Sequence, residues 1–134
     1  MKYIIASGPV IIEKGKLLVN KDNKDDFYKL PCGQVEDYDK TLEDACHRET
    51  KEENNGLIKI LKPLSPMILR KNPQSGEKMC IVLIHYEAKL LNKKDIKPIP
   101  PIQEVKWLAI SDIKKGKYRV APNITYLIEK GEIK

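Results

Sequence analysis

Short apolar runs rich in β-branched residues, broken by Pro, Gly and charged pairs, predict strands over residues 3–7, 9–20, 57–64, 66–71, 79–91 and 105–110. The second run folds back through Lys14-Gly15-Lys16, a turn sequence. Helical periodicity is confined to Thr41–Asn54, a short turn over 111–115, and Asn123–Lys130, where Ile124, Leu127 and Ile128 recur at helical spacing. Strands interleaved with few helices predict an α/β or α+β domain built on a mixed sheet. The Pro-rich segment "KPIPPIQ" reads as a loop long enough to border a site.

The helix over 41–54 carries an unusual stripe. At 100° per residue, Leu42, Ala45, Cys46, Glu49, Glu52 and Glu53 fall within about a third of its circumference. The face that begins apolar therefore ends in three carboxylates, at the end where the helix dipole disfavours negative charge. Glu49 is three residues from Glu52 and four from Glu53, so like charges are stacked along one face. Arg48 reaches Glu52 at i,i+4, but one guanidinium does not offset three carboxylates. A hard divalent cation, Mg²⁺ or Mn²⁺, takes such oxygen ligands. A solvated Glu/Lys surface is the competing reading of this helix taken alone.

With 134 residues the chain is expected to form one domain, 1–134, that buries most of its apolar surface without metal or disulfide staples. Its composition is 41% hydrophobic and 33% charged, and no apolar run is long enough for a membrane span. Ser7, Gly8 and Pro9 interrupt the N-terminal apolar stretch, so no export signal is expected. Cys32, Cys46 and Cys80 are odd in number and lack CxxC spacing, which suits reduced thiols and a cytoplasmic location. The net charge of +6 is scattered rather than striped, so it gives little support to a nucleic-acid partner.

The segment "LPCGQVEDYDKTLEDACHRETKEENNGL" resembles the Nudix box of MutT-like hydrolases, G-x5-E-x7-R-E-U-x-E-E-x-G-U with U apolar. Looser similarity extends over nearly the whole chain, through "SGPVIIEKGKLLVNK" and "EVKWLAISDI". The departures are local. The spacing from Gly33 to Arg48 is one residue longer than the box, so Asp39 or Lys40 takes the place of its first Glu. Cys32 replaces a Gly, Thr50 replaces an apolar residue, and "ENNG" holds one extra residue before Gly56.

The resemblance implies an α/β/α sandwich with a central mixed sheet and a loop-helix-loop site. It further implies Mg²⁺- or Mn²⁺-dependent hydrolysis of the pyrophosphate linkage of a nucleoside diphosphate derivative or triphosphate. Glu52 and Glu53 are then the leading metal ligands, Glu49 a third ligand or the general base, and Arg48 an orienting residue. The backbone carbonyl of Cys32 and the carboxylate of Glu104, with Glu87 behind it, are further candidate ligands.

Gly33 is a candidate substrate contact, Phe27 and Tyr28 are candidates to stack on a base, and Arg70 is a candidate for phosphate. Pro73, 16 residues after Leu57, stands at a position that the resemblance associates with ADP-ribose preference in some family members. His85, Cys46 and Cys80 read as buried residues rather than catalysts. The partner expected is a small nucleotide, with no membrane and with oligomeric state open, a homodimer included. Two other readings compete: a Nudix-fold binding domain without turnover, motivated by the altered loop, and a pyrophosphohydrolase of RNA 5′ ends, motivated by the basic charge.

Overall fold

The computed structural model describes residues 1–134. Seven strands form the sheet: β1 (Tyr3–Glu13), β2 (Lys16–Asp22), β3 (Gly33–Gln34), β4 (Ile58–Pro63), β5 (Met67–Lys71), β6 (Lys78–Leu90) and β7 (Ile102–Ala109). The helices are α1 (Leu42–Asn54), α2 (Ile110–Lys114) and α3 (Pro122–Glu129). The main strand order is β4-β6-β1-β2-β7, with β3 added to β1 and β5 to β6. Only β1 and β6 run parallel, in register from Tyr3 opposite Cys80 to Ile11 opposite Ala88, so the sheet is mixed as expected. No helix is long and apolar enough to cross a membrane.

Where the sequence predicts two strands before the first turn, there is one. β1 passes through Gly8 and Pro9 without breaking, because β3 pairs only at Ala6 and Ser7 and β2 only from Ile12. Pro9 falls in the gap between them, where its missing N–H leaves no ladder bond unmade. Gly8 has a separate reason to lack a side chain: a Cβ there would run into the backbone of Pro31 and Cys32. The loop leading into the Nudix-like segment thus lies directly on β1.

Period-2 alternation sends Val10, Leu17 and Val19 to one face, where they pack with Ile124 and Leu127 of α3. Ile11 and Leu18 go to the other face, against Cys46 of α1 and Tyr86 of β6. Helices therefore cover both faces, which makes the fold an α/β/α sandwich. Thr41 caps α1, its hydroxyl accepting from Asp44 N at 2.9 Å. The extra Asn before Gly56 also has a structural role. Asn55 is the C-cap, in the left-handed conformation at φ 60°, and its N–H donates to Lys51 O.

Candidate functional site

The last turns of α1 face the loop before β3, and their carboxylates are held in three different ways. Glu53 Oε1 accepts from Asn20 Nδ2 at 2.7 Å and from the Cys32 N–H at 3.3 Å, while no donor engages Oε2. Burial, reinforced by the charge of Glu49, pushes its carboxyl up to about 8. Glu49 is buried against Gly33, where a Cβ would fall inside its carboxylate, and its Oε1 accepts from Arg48 Nη1 at 2.8 Å. Burial raises its pKa, and the Arg48 bond opposes this. Glu52 is mostly exposed and accepts from Arg48 Nη1 at 3.1 Å.

Arg48 is the hub of this cluster. Its Nε and Nη2 donate to Asp39 Oδ1 and Oδ2 at 2.9 and 2.7 Å, a bidentate pair. That pair holds the Asp39 carboxyl down at about 2. Asp39, not Lys40, thus stands where the first Glu of the box would be, and the added residue lies between it and the helix. Thr50 is buried without conflict, because its hydroxyl donates to Cys46 O at 2.7 Å. Cys32 has no positive φ, so a side chain where the box has Gly costs no backbone strain. Burial and the nearby Glu53 and Glu49 raise the Cys32 thiol, which keeps it protonated.

Four carboxyl groups share one guanidinium, so acidic groups outnumber the cation even where burial keeps a proton on Glu53. The donors are hard oxygens, and one of them, Glu53 Oε2, has no partner. These features fit a divalent cation. The side chains do not converge into a ready cage of three ligands, since Arg48 stands between Glu49 and Glu52. The Pro-rich loop borders the cluster as expected: the N–H groups of Lys97 and Ile99 donate to Asn54 O and Glu53 O at 3.0 and 3.1 Å.

A pocket of about 340 Å³ opens beside Cys32 and Gly33, with Phe27, Leu69, Leu83 and Asn123 among its walls. Phe27 is therefore placed beside the cluster. Tyr28, Arg70 and Glu104 are not. The Tyr28 ring packs edge-on to Tyr118 at 5.9 Å and is half-buried against the α3-side core. Leu69 lines the pocket, whereas Arg70 lines only a neighbouring depression, at an irregularity of β5 between Leu69 and Lys71.

Glu104 lies on the face of β7 opposite α1. Its Oε1 takes the Lys106 ammonium at 3.0 Å and the Tyr28 hydroxyl at 3.4 Å, while Val105 and Trp107 pack on the α1 side. Glu87 borders a separate depression of about 530 Å³ beside Leu61 and Leu91, where the helix carboxylates are absent. Sequence reasoning missed Asn20, Asn123, and the network of Lys29 with Asp22 and Asp25 at 3.1 and 3.0 Å. The available signal for Asn20 was a lone polar residue inside the apolar strand "KLLVNK".

The structure thus joins an α/β/α sandwich to an acidic cluster set between the end of α1 and a glycine-bearing loop. The model of the NUDIX domain matches residues 2–128. The chain belongs to the Nudix hydrolase family, enzymes that act on pyrophosphate bonds in nucleoside diphosphate derivatives and generally use divalent metal ions. No curated protein sequence matches the chain.

Among solved structures it is similar to a NUDIX hydrolase from Nitrosomonas europaea, at 20% identity and TM-score 0.76, covering 96% of this chain and 87% of that one. A NUDIX-family hydrolase from Clostridium perfringens gives 18% identity and TM-score 0.74 over 95% of this chain and 94% of that one. A bifunctional NMN adenylyltransferase/ADP ribose pyrophosphatase from Francisella tularensis, complexed with AMP and a Mn ion, gives 20% identity and TM-score 0.66. It is covered over 42% of its own length by 96% of this chain.

Proposed function

We propose that residues 1–134 form a single catalytic domain that hydrolyses the pyrophosphate linkage of a small nucleoside diphosphate derivative or nucleoside triphosphate with Mg²⁺ or Mn²⁺, in the cytoplasm. The observation that carries this reading is Glu53: a carboxylate set by Asn20 and the Cys32 N–H, with its second oxygen uncommitted, beside Glu49 and Glu52. Glu49, Glu52 and Glu53 would hold the cation, with the Cys32 carbonyl beside them. When bound, a divalent cation neutralises pyrophosphate oxygens and acidifies an attacking water.

The chain's own residues do the rest. Arg48, clamped by Asp39, aims Glu49 and Glu52 and keeps them from repelling each other out of position. Glu49, pressed on Gly33, is a third ligand or the proton acceptor. Phe27 and the apolar wall of the adjoining pocket receive the nucleoside, which leaves its phosphates toward Gly33 and the carboxylates. The AMP and Mn ion held by the Francisella tularensis enzyme support this assignment of ligand classes. The three thiols, all unpaired, suit a reducing compartment.

The test is a panel of nucleoside triphosphates, ADP-ribose, dinucleoside polyphosphates, nucleotide sugars and triphosphorylated RNA, assayed with each metal. Turnover of at least one small nucleotide that Glu53→Gln abolishes is expected. Equal inactivity of wild type and variant on every member would instead favour a binding domain, and preferential turnover of RNA the RNA-end reading.

A further inference from the structure

The hairpin of β5 and β6 carries cations that no acidic residue balances. Lys71 and Lys78 stand directly opposite each other across the two strands, a like-charge pair that costs stability. The register slips beside them, between Leu69 and Lys71, so strict alternation fails there. Leu69, Arg70 and Lys71 consequently all border one depression of about 450 Å³, together with Lys78. Lys71 also borders a second depression, of about 280 Å³, that it shares with Arg119. Neither lining contains an acidic residue. Arg70, Lys71 and Lys78 make no ion pair, and Arg119 has only the exposed Asp26. The other lysine pair of this kind, Lys59 opposite Lys89, differs: the depression that Lys89 borders also holds Glu13 and Glu87.

The turn that joins the two strands is fixed in place. Asn72 Oδ1 accepts from the N–H groups of Gln74 and Ser75 at 2.8 and 3.2 Å, and the Asn72 N–H donates to Glu77 O at 2.9 Å. The Gln74 amide donates to the buried Asp25, which ties the turn to the loop that carries Phe27. On the same wall α3 starts at Pro122, with no side chain capping it and no acidic residue in its first turn, so its dipole adds to the positive potential.

Both depressions adjoin the pocket that receives the nucleoside. They share Pro73 and Pro122 with it, the larger adding Leu69 and the smaller Phe27. Cys32 and Gly33, on the side of the pocket where the carboxylates lie, border neither. An anion held by Arg70, Lys71 and Lys78 is therefore not the pyrophosphate but a second charge that leaves the pocket over Pro73 and Pro122. The ribose offers its 2′ and 3′ oxygens as the points of attachment. Guanidinium and ammonium groups around an acid-free hollow suit a phosphate.

We propose that these two depressions form a second anion site, which holds a phosphate on the 2′ or 3′ oxygen of the substrate's ribose, so that the enzyme prefers nucleotides bearing a phosphate there in addition to the pyrophosphate. The inference rests on the reading of the pocket as the nucleoside site. A terminal phosphate monoester and an internucleotide phosphodiester present the same anion, and the test separates them.

Equilibrium binding to the full chain compares AMP with adenosine 2′,5′-bisphosphate, adenosine 3′,5′-bisphosphate and the dinucleotide pApA. At least one of the three is expected to bind about tenfold tighter than AMP or more, the scale of two or three ion pairs formed at an open site. A gain confined to the bisphosphates assigns the monoester, and a gain for pApA the phosphodiester. Lys71→Gln combined with Lys78→Gln is expected to bring the ratio within about twofold and to leave the affinity for AMP unchanged. Removing the same charge at Lys59 and Lys89 is expected to leave the ratio intact. All four lysines are exposed, so neither double variant threatens folding.

Affinities for all three ligands within about twofold of that for AMP overturn the proposal. So does a ratio that falls as far in the Lys59/Lys89 variant as in the Lys71/Lys78 variant, because the gain would then follow net charge alone. AMP binding with no gain from a second phosphate sinks only this inference. If none of the four probes binds, the nucleoside-site reading fails and takes this inference with it.

Discussion

The carboxylate of Glu49 occupies the space that a side chain on Gly33 would need. The neighbour is a charged group already tied to Arg48, so it has little freedom to move aside. Gly33→Ala is therefore expected to leave the sheet intact but to displace Glu49, with a fall in kcat/KM of about a hundredfold, typical of a reacting group misplaced by about 1 Å. Steady-state kinetics with circular dichroism would check it. A folded Gly33→Ala enzyme with wild-type kcat/KM would show that Glu49 does not need this position.

Asn20 meets Glu53 on the face of β2 that α1 covers, and its own Oδ1 is buried with no partner. Removing the side chain deletes one stabilising bond and relieves one unsatisfied oxygen, so stability should change by no more than about 1–2 kcal/mol. Activity should respond more, because residues that orient metal ligands typically matter by about 10- to 100-fold. Asn20→Ala with unchanged apparent affinity for Mn²⁺ in a titration of activity would exclude this orienting role.

The acidic stripe of α1 was legible because helical periodicity needs no tertiary information: Glu49, Glu52 and Glu53 fall on one face in any helix. The positions of Arg70 and Glu104 were not, because in a strand a one-residue change of parity, or an irregularity such as that between Leu69 and Lys71, reverses the face. Glu104 was expected beside the carboxylates, and its alternation partner Val105 faces α1 instead. The pocket was out of reach for another reason. Its walls meet from Phe27, the turn around Asn72 and the start of α3, segments distant in sequence that only the mixed sheet brings together. His85 was read as buried, which it is, but nothing local in "CIVLIHYEA" points to Asn123 as its partner.

If the cluster takes a divalent cation, binding must add to folding stability, because the unfolded chain has no such site. At a metal concentration about a hundred times Kd the gain is about 2.7 kcal/mol, read as a rise in Tm of several degrees. A chelator should reverse it. Glu53→Gln should remove most of it, since it takes away the carboxylate with the uncommitted oxygen. No metal-dependent shift in the wild-type Tm at millimolar Mg²⁺ or Mn²⁺ would argue against a cation held by these residues.

His85 should give the fold a measurable acid sensitivity. Its ring is buried, its Nδ1–H is given to Gly8 O, and its Nε2 is occupied by Asn123, so a second proton has no acceptor waiting for it. Burial lowers its pKa from 6.5 to about 4. Between those values the unfolded chain binds the proton and the folded chain does not, so stability is complete above pH 6.5 and declines as pH falls toward 4. From about pH 7.5 to about pH 5 this one residue should cost about 2 kcal/mol. Other groups titrate in the same range, so the measurement is a difference. Denaturant unfolding of wild type and His85→Gln at both pH values should show wild type losing about 2 kcal/mol more than the variant, whatever the variant's own baseline stability. Parallel losses would mean that His85 is protonated in the folded protein at pH 5 and that its burial does not hold its pKa down.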